Sequence, residues 1–177
     1  MNKIVWAFAL VSCSVLLLVA CAAGSQAKTF RRSDQDVARL MAINDNVIVP
    51  GERVGSVFLG MTEEQLYRKM GNPDQNYPQD SGASMLYIYP DLEIYAQMAT
   101  HQVSSIIVRG PSYHTIQGVS AGTPELEMKA KIGQPVWEIL AHSAGTELKL
   151  CYNSGLTAYA YDGHITRMQI WSGMCGG

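Results

Sequence analysis

From about residue 84 to the end of the chain, apolar and polar positions alternate in short runs separated by turn-forming residues. Period-two alternation of this kind predicts half-buried strands. The runs fall at about 84–90, 92–99 and 103–109, then at 146–152, 155–161 and 164–171. Pro90-Asp91, Asn153-Ser154-Gly155 and Asp162-Gly163 supply turns between them. Ahead of each set lies a helical pattern. Leu66 and Met70, and again Met128 and Ile132, stand at i, i+4 spacing and give one apolar stripe each. Thr62 followed by Gln65 reads as a capping box, and Thr123-Pro124 as a cap with proline at the first helical position. Gly71 and Gly133 fit left-handed C-caps, each with a proline two residues on. A further helix is expected from Ser33 to about Asn44, a loop over 74–83, a tether over 22–32 and a tail over 173–177.

The two sets are copies. Gly60, Gly71 and Pro73 recur as Gly122, Gly133 and Pro135, each 62 positions later. The same offset pairs Leu86 with Leu148, Ile88 with Leu150, Ile94 with Leu156, Ala96 with Ala158, Val103 with Ile165, Ile106 with Met168 and Val108 with Ile170. Two units are too few for a solenoid and suit one pseudo-symmetric domain.

Strand residues alternate between faces. One face is expected to be aliphatic and covered by the helices: Leu86, Ile88, Ile94, Ala96, Met98, Ile106 and Val108, with Leu148, Leu150, Leu156, Ala158, Ala160, Met168 and Ile170. The other would carry Tyr87, Tyr89, Tyr95, Ile107 and Arg109 from the first unit. The second unit would add Lys149, Cys151, Thr157, Tyr159, Tyr161, Arg167, Gln169 and Trp171. Tyrosine, tryptophan and arginine are enriched at interface hot spots, so Tyr87, Tyr89, Tyr95, Arg109, Tyr159, Tyr161, Arg167 and Trp171 are the candidate partner-binding residues. The alternative is an ordinary solvated sheet face, where aromatics sit well beside Lys and Arg.

The N-terminus reads as an address. Lys3 precedes an uncharged stretch from Ile4 to Ala20, at the short limit for crossing a bilayer of about 30 Å. Small residues follow at once, which favours a signal segment over a span. Leu18-Val19-Ala20-Cys21 resembles the bacterial lipobox, in which the cysteine becomes the acylated first residue of the mature protein. Ala22 in place of an aspartate implies, by the same resemblance, sorting to the outer membrane. Ordinary secretion with cleavage after Ala27, or an uncleaved anchor, are the alternatives.

Composition trims the possibilities further. The chain has 177 residues, a formal net charge of −2 and 47% hydrophobic residues. That argues for a folded chain of one or at most two small domains and against a basic nucleic-acid binder. With Cys13 in the signal and Cys21 lipidated, Cys151 and Cys175 remain, and a disulfide is the default in an oxidising compartment. A metal pair is the rival, but neither cysteine has a second ligand at zinc spacing. His101, His114, His142 and His164 match no metal motif, and His142-Ser143-Ala144-Gly145 is no nucleophile elbow. No catalytic residues, metal, cofactor or small-molecule substrate are expected, and the chain is not expected to be an enzyme.

The stretch Gly51-Glu-Arg-Val-Gly-Ser-Val-Phe-Leu-Gly-Met-Thr-Glu-Glu-Gln-Leu66, ending in Gly71-Asn-Pro73, resembles the repeat of the SmpA/OmlA small outer-membrane lipoproteins and of β-lactamase-inhibitor-like domains. The resemblance covers roughly residues 49 to 173. It implies a "Gly-Met-Thr" turn, a helix closed by "Gly-x-Pro" and a small antiparallel sheet. Single-repeat members look like accessory lipoproteins of the outer-membrane β-barrel assembly machine, and two-repeat members like inhibitors that bind through an aromatic sheet face. This chain combines the tandem form with the lipid anchor.

The expected protein is α+β: a signal peptide over 1–20, a lipidated tether and N-terminal helix over 21–45, and one tandem-repeat domain over 46–177. Its repeats run over about 49–110 and 111–173, with the helices on one face of the sheet. It would sit on the periplasmic face of the outer membrane, or be periplasmic or secreted, and bind a protein partner in envelope assembly or maintenance. Inhibition of a periplasmic hydrolase is the alternative role.

Overall fold

The computed structural model describes residues 30–141 and 147–173. The signal segment, Cys21, the Ser25–Ala27 stretch, the His142–Gly145 stretch and Cys175 lie outside the described residues. Helix α1 (Asp34–Ala42) starts at Ser33, whose hydroxyl accepts from the Asp36 N–H. Strands β1 (Val47–Val49), β2 (Arg53–Val54) and β3 (Val57–Phe58) follow, then α2 (Glu63–Met70), β4 (Gln75–Gln79), β5 (Ser84–Tyr89), β6 (Leu92–Gln97) and β7 (Gln102–Val108). After β8 (His114–Thr115) come α3 (Glu125–Ile132), β9 (Trp137–Ala141), β10 (Glu147–Tyr152), β11 (Leu156–Tyr161) and β12 (His164–Trp171). Among the described residues no helix is long and apolar enough to cross a membrane.

The fold is α+β. Eight strands form one antiparallel sheet in the order β4-β5-β6-β7-β12-β11-β10-β9, so the two repeats meet where β7 pairs with β12. A small second sheet, β3-β2-β1-β8, includes one parallel pair, β1 with β8. One face of the large sheet is the core face. Ile94, Ile106, Leu150 and Ile170 on it pack in one cluster with Leu40 of α1, Leu66 of α2 and Met128 of α3, and with Ile48, Val54 and Phe58 of the small sheet. Burying each such side chain stabilises the fold by about 1.5–3 kcal/mol.

The repeat is written in backbone hydrogen bonds. The Gly60 N–H donates to the Val103 carbonyl at 2.7 Å, and the Gly122 N–H donates to the Ile165 carbonyl at 2.7 Å. Val103 N–H returns to the Met61 carbonyl, and Ile165 N–H to the Thr123 carbonyl, at 2.8 and 2.9 Å. Each helix is thereby pinned to the start of the last strand of its own unit. The capping box at Thr62 and Gln65 is formed. The second cap differs from expectation: Pro124 is the N-cap, because the Thr123 hydroxyl is turned to the Ser120 N–H instead. Gly71 and Gly133 have φ of 77° and 106° but ψ of −164° and 179°, which is not the left-handed helical region but a conformation tolerated essentially by glycine alone.

The even offset of 62 fails in the middle of the repeat. Tyr89 pairs with Leu92 across its turn and Tyr152 pairs with Leu156 across the equivalent one, so Tyr152 is the counterpart of Tyr89, 63 positions on. Tyr95 and Tyr159 each stand at a register shift in the hairpin, 64 positions apart. By Val103 and Ile165 the offset is 62 again. Two turns in the second unit are longer by one residue each, and the β11–β12 turn is shorter by two than the β6–β7 turn. The insertions cancel, so an ungapped register is correct at both ends and wrong between them.

This corrects the expected faces. Tyr87 lies opposite Ile94 and Tyr89 opposite Leu92, both on the core face, 3% and 5% exposed. Leu86 and Ile88, expected in the core, belong to the other face, and Met98 sits in the β6–β7 turn. The stretch 74–83 is not a plain loop: β4 runs through it as an edge strand. The small sheet and β9 are likewise additions to the expected strands.

Candidate functional site

The second face of the large sheet is where the candidate residues can meet. β6, β7, β12, β11, β10 and β9 each contribute alternate positions to it. Tyr95 lies opposite Ser105, which lies opposite Trp171. Ile107 is opposite Gln169, Gln169 opposite Thr157, and Thr157 opposite Cys151. Tyr159 stands between Arg167 on one side and Lys149 on the other.

The side chains hold one another. Arg167 lies over the Tyr159 ring, 4.0 Å from the centroid, and donates to Glu147 Oε2 at 2.7 Å. The Tyr159 hydroxyl donates to Gln169 Oε1 at 3.1 Å, and Gln169 Nε2 donates to the Ser105 hydroxyl at 2.9 Å. The Trp171 indole N–H donates to Thr157 Oγ1 at 3.2 Å, and the chain turns back so that Gly173 lies against the six-membered ring. Lys149 stands over the Trp137 ring at 5.7 Å. Burial pushes the hydroxyls of Tyr95 and Tyr159 above the ordinary tyrosine range, with Arg109 opposing the shift at Tyr95 and Arg167 at Tyr159.

Two β-bulges shape the face. Ser104 is the extra residue beside Tyr95 and donates its hydroxyl to the Tyr95 carbonyl at 3.2 Å; Thr166 does the same for Tyr159 at 3.1 Å. Bulges raise local twist and re-aim the neighbouring side chain. The same device thus stands beside Tyr95 in the first repeat and Tyr159 in the second.

Of the candidate residues, Tyr95, Tyr159, Tyr161, Arg167 and Trp171 share this face. Tyr161 ends β11 opposite His164 and is exposed. Arg109 lies just beyond β7, exposed and ion-paired to Glu93 at 2.5 Å. Tyr87 and Tyr89 do not belong to the face. They stand in the core, where Tyr87 meets Tyr67 edge-on at 5.9 Å and the Tyr89 hydroxyl donates to the Gly71 carbonyl at 2.9 Å. Cys151 is buried on the same face, with Sγ 3.6 Å from the Thr157 hydroxyl.

Sequence reasoning passed over Glu147, Ser105, Gln169 as a linker, and Trp137. Glu147 lies within the run read over 146–152, but its pairing with Arg167, two strands away, appears only in three dimensions. The hydroxyls of Thr157 and Ser105 accept from Trp171 and Gln169 and serve the packing of the face. Among the described residues no three His, Cys, Asp or Glu side chains gather as a metal site.

No protein-family model matches the sequence, and no curated protein matches it. Solved structures of similar shape include the DUF4309-family protein YjgB of Bacillus subtilis, at 12% identity and a TM-score of 0.44 over 62% of this chain and 77% of that one. The cysteine-rich secretory protein SAV1118 of Staphylococcus aureus has 13% identity and a TM-score of 0.45 over 73% of this chain; the match spans half of that longer protein, 50%. A candidate β-lactamase inhibitor protein of Streptococcus mutans has 15% identity and a TM-score of 0.26 over 78% of this chain and 98% of that one.

Proposed function

We propose that this protein is a lipid-anchored, periplasm-facing adaptor of the outer membrane that binds a protein partner in envelope assembly or maintenance. The observation that carries the reading is the asymmetry of the large sheet. Its core face is packed by three helices and a second sheet, whereas its other face bears Tyr95, Tyr159, Arg167 and Trp171 fastened to one another by hydrogen bonds and stacking. Rigid aromatic groups lose little freedom on binding, which is why pre-ordered tyrosine and tryptophan surfaces make efficient contacts. The lipobox-like Leu18–Cys21 supports the anchor, with Cys21 acylated, and the compartment supports a Cys151–Cys175 bridge. No catalytic step is assigned to the chain.

Crosslinked capture from native envelopes, followed by titration of the captured partner, tests this. Trp171→Ala with Tyr161→Ala should weaken the partner by about 2 kcal/mol or more, roughly thirtyfold, with the circular dichroism spectrum unchanged. Unchanged affinity removes the face from consideration. A captured soluble hydrolase that loses activity on addition of one equivalent of the domain would favour the inhibitor role instead.

A further inference from the structure

The chain enters the domain through a clasp. The Phe30 N–H donates to Gln102 Oε1 at 3.1 Å, and Gln102 Nε2 donates back to the Phe30 carbonyl at 3.4 Å. One side-chain amide thus grips both polar groups of a residue 72 positions away. Phe30 presses on Gly60 so closely that a Cβ there would sit 2.3 Å from the Phe30 Cβ. Two residues on, Arg32 Nη2 reaches the Leu59 carbonyl at 3.4 Å, and the guanidinium lies 5.6 Å from the Phe58 ring centroid. The second repeat has the same Gly122 turn with open space in front of it. Among the described residues the notch is therefore filled in the first repeat and open in the second, and what fills it is the N-terminal strap.

We propose that this clasp sets the length of the leash between Cys21 and the domain and turns the Gln102 end of the domain toward the phospholipid surface. The inference rests on the lipoprotein reading above. Eight residues lie between Cys21 and Phe30, which makes nine residue-to-residue steps. At 3.3–3.6 Å per residue the clasp lies at most about 30 Å from the acylated cysteine. β7 begins at Gln102 and runs away from the clasp, and β12 runs the other way, with Trp171 opposite Ser105. Trp171 and Tyr95 therefore lie toward the leashed end, and Arg109, Asp91 and the Asp162–Gly163 turn toward the far end, about 20 Å along the strand. Met98, exposed in the turn before Gln102, gives this end an apolar contact for a lipid surface, and Arg31 on the strap stands beside the exposed carboxylates of Asp34 and Asp36. The partner surface would then be edge-on to the bilayer and open to partners embedded in it.

The test uses the full, acylated chain in nanodiscs of phospholipid carrying a gadolinium-chelating headgroup, with amide intensities read by NMR and intact mass by spectrometry. Amides at Thr100, His101 and Gln102 should lose most of their intensity, while those of Asp162 and Gly163 keep theirs. Gln102→Ala, and separately a Gly/Ser insert lengthening the leash, should shrink that contrast. Equal loss at both ends in a chain whose mass carries the acyl groups overturns the orientation and leaves the lipoprotein reading standing. A mass without acyl groups overturns both.

Discussion

Arg167 and Tyr159 stand directly opposite each other on β12 and β11, and the guanidinium caps the ring at 4.0 Å while its other edge is tied to Glu147 on β10. One arginine thus joins three strands of the second repeat across the outer face. Arg167→Ala should lower stability by about 1–2 kcal/mol in urea unfolding, the sum of a partly desolvated stack and a half-buried ion pair. Arg167→Lys keeps the charge and loses the planar stack, and should recover less than half of that loss.

Tyr87 and Tyr161 separate the two faces by their cost. Tyr87→Ala opens a core position packed against Tyr67 and should cost about 3–5 kcal/mol. Tyr161→Ala, at an exposed strand end, should stay within about 0.5 kcal/mol of wild type. Equal costs in the same unfolding assay would contradict the register described for β5.

Gly60 and Gly122 have the same backbone task but different neighbours. Their φ values are 84° and 91°, so alanine at either is strained, by about 1–3 kcal/mol. At Gly60 the new methyl group also meets Phe30, whereas at Gly122 it meets open space. Gly60→Ala should therefore lower the melting temperature more than Gly122→Ala. Removing the chain up to residue 32 from both variants should bring the two closer.

Alkali should weaken the core. Burial pushes the Tyr89 hydroxyl up to about 12 and raises that of Tyr87 further, the latter helped by Glu63. Folded values above the unfolded value of about 10 mean that the unfolded chain gives up its phenolic protons first. Stability from these two residues is thus fully present below pH 10 and is lost as pH rises through 12. Denaturation midpoints measured from pH 9 to 11.5 should fall, and Tyr87→Phe with Tyr89→Phe should flatten the fall.

The sequence shows the repeat, the three helices and six of the strands because each rests on a local signal: a cap, an i, i+4 stripe, an alternation. The face assignment of β5 was out of reach for a physical reason. Register is fixed by turn lengths, and one added residue in a turn moves every side chain of the next strand to the opposite face. Two such additions, offset by a shorter turn later, leave no trace in an ungapped comparison. β4 went unseen because Gln75-Asn76-Tyr77-Pro78-Gln79 is polar and carries a proline, as edge strands do. The small sheet went unseen because its strands have two or three residues each and are held by long-range pairing such as Val47 with His114. On the outer face the residue types were legible and their mutual grip was not, since Glu147, Gln169 and Ser105 become partners only across strands.

The seam between β7 and β12 has a further meaning. Four residue pairs, from Met168–Val108 to Trp171–Ser105, join the two halves of the sheet, and they do so about an approximate dyad. The molecule is thus laid out as a homodimer whose subunits have been fused. Either half alone would present a bare hydrogen-bonding edge at β7 or β12 and would seek a twin. Fusion makes that encounter intramolecular and frees the subunits to diverge. One half has kept the notch that grips the N-terminal strap, and the other has gathered the tryptophan and arginine of the outer face.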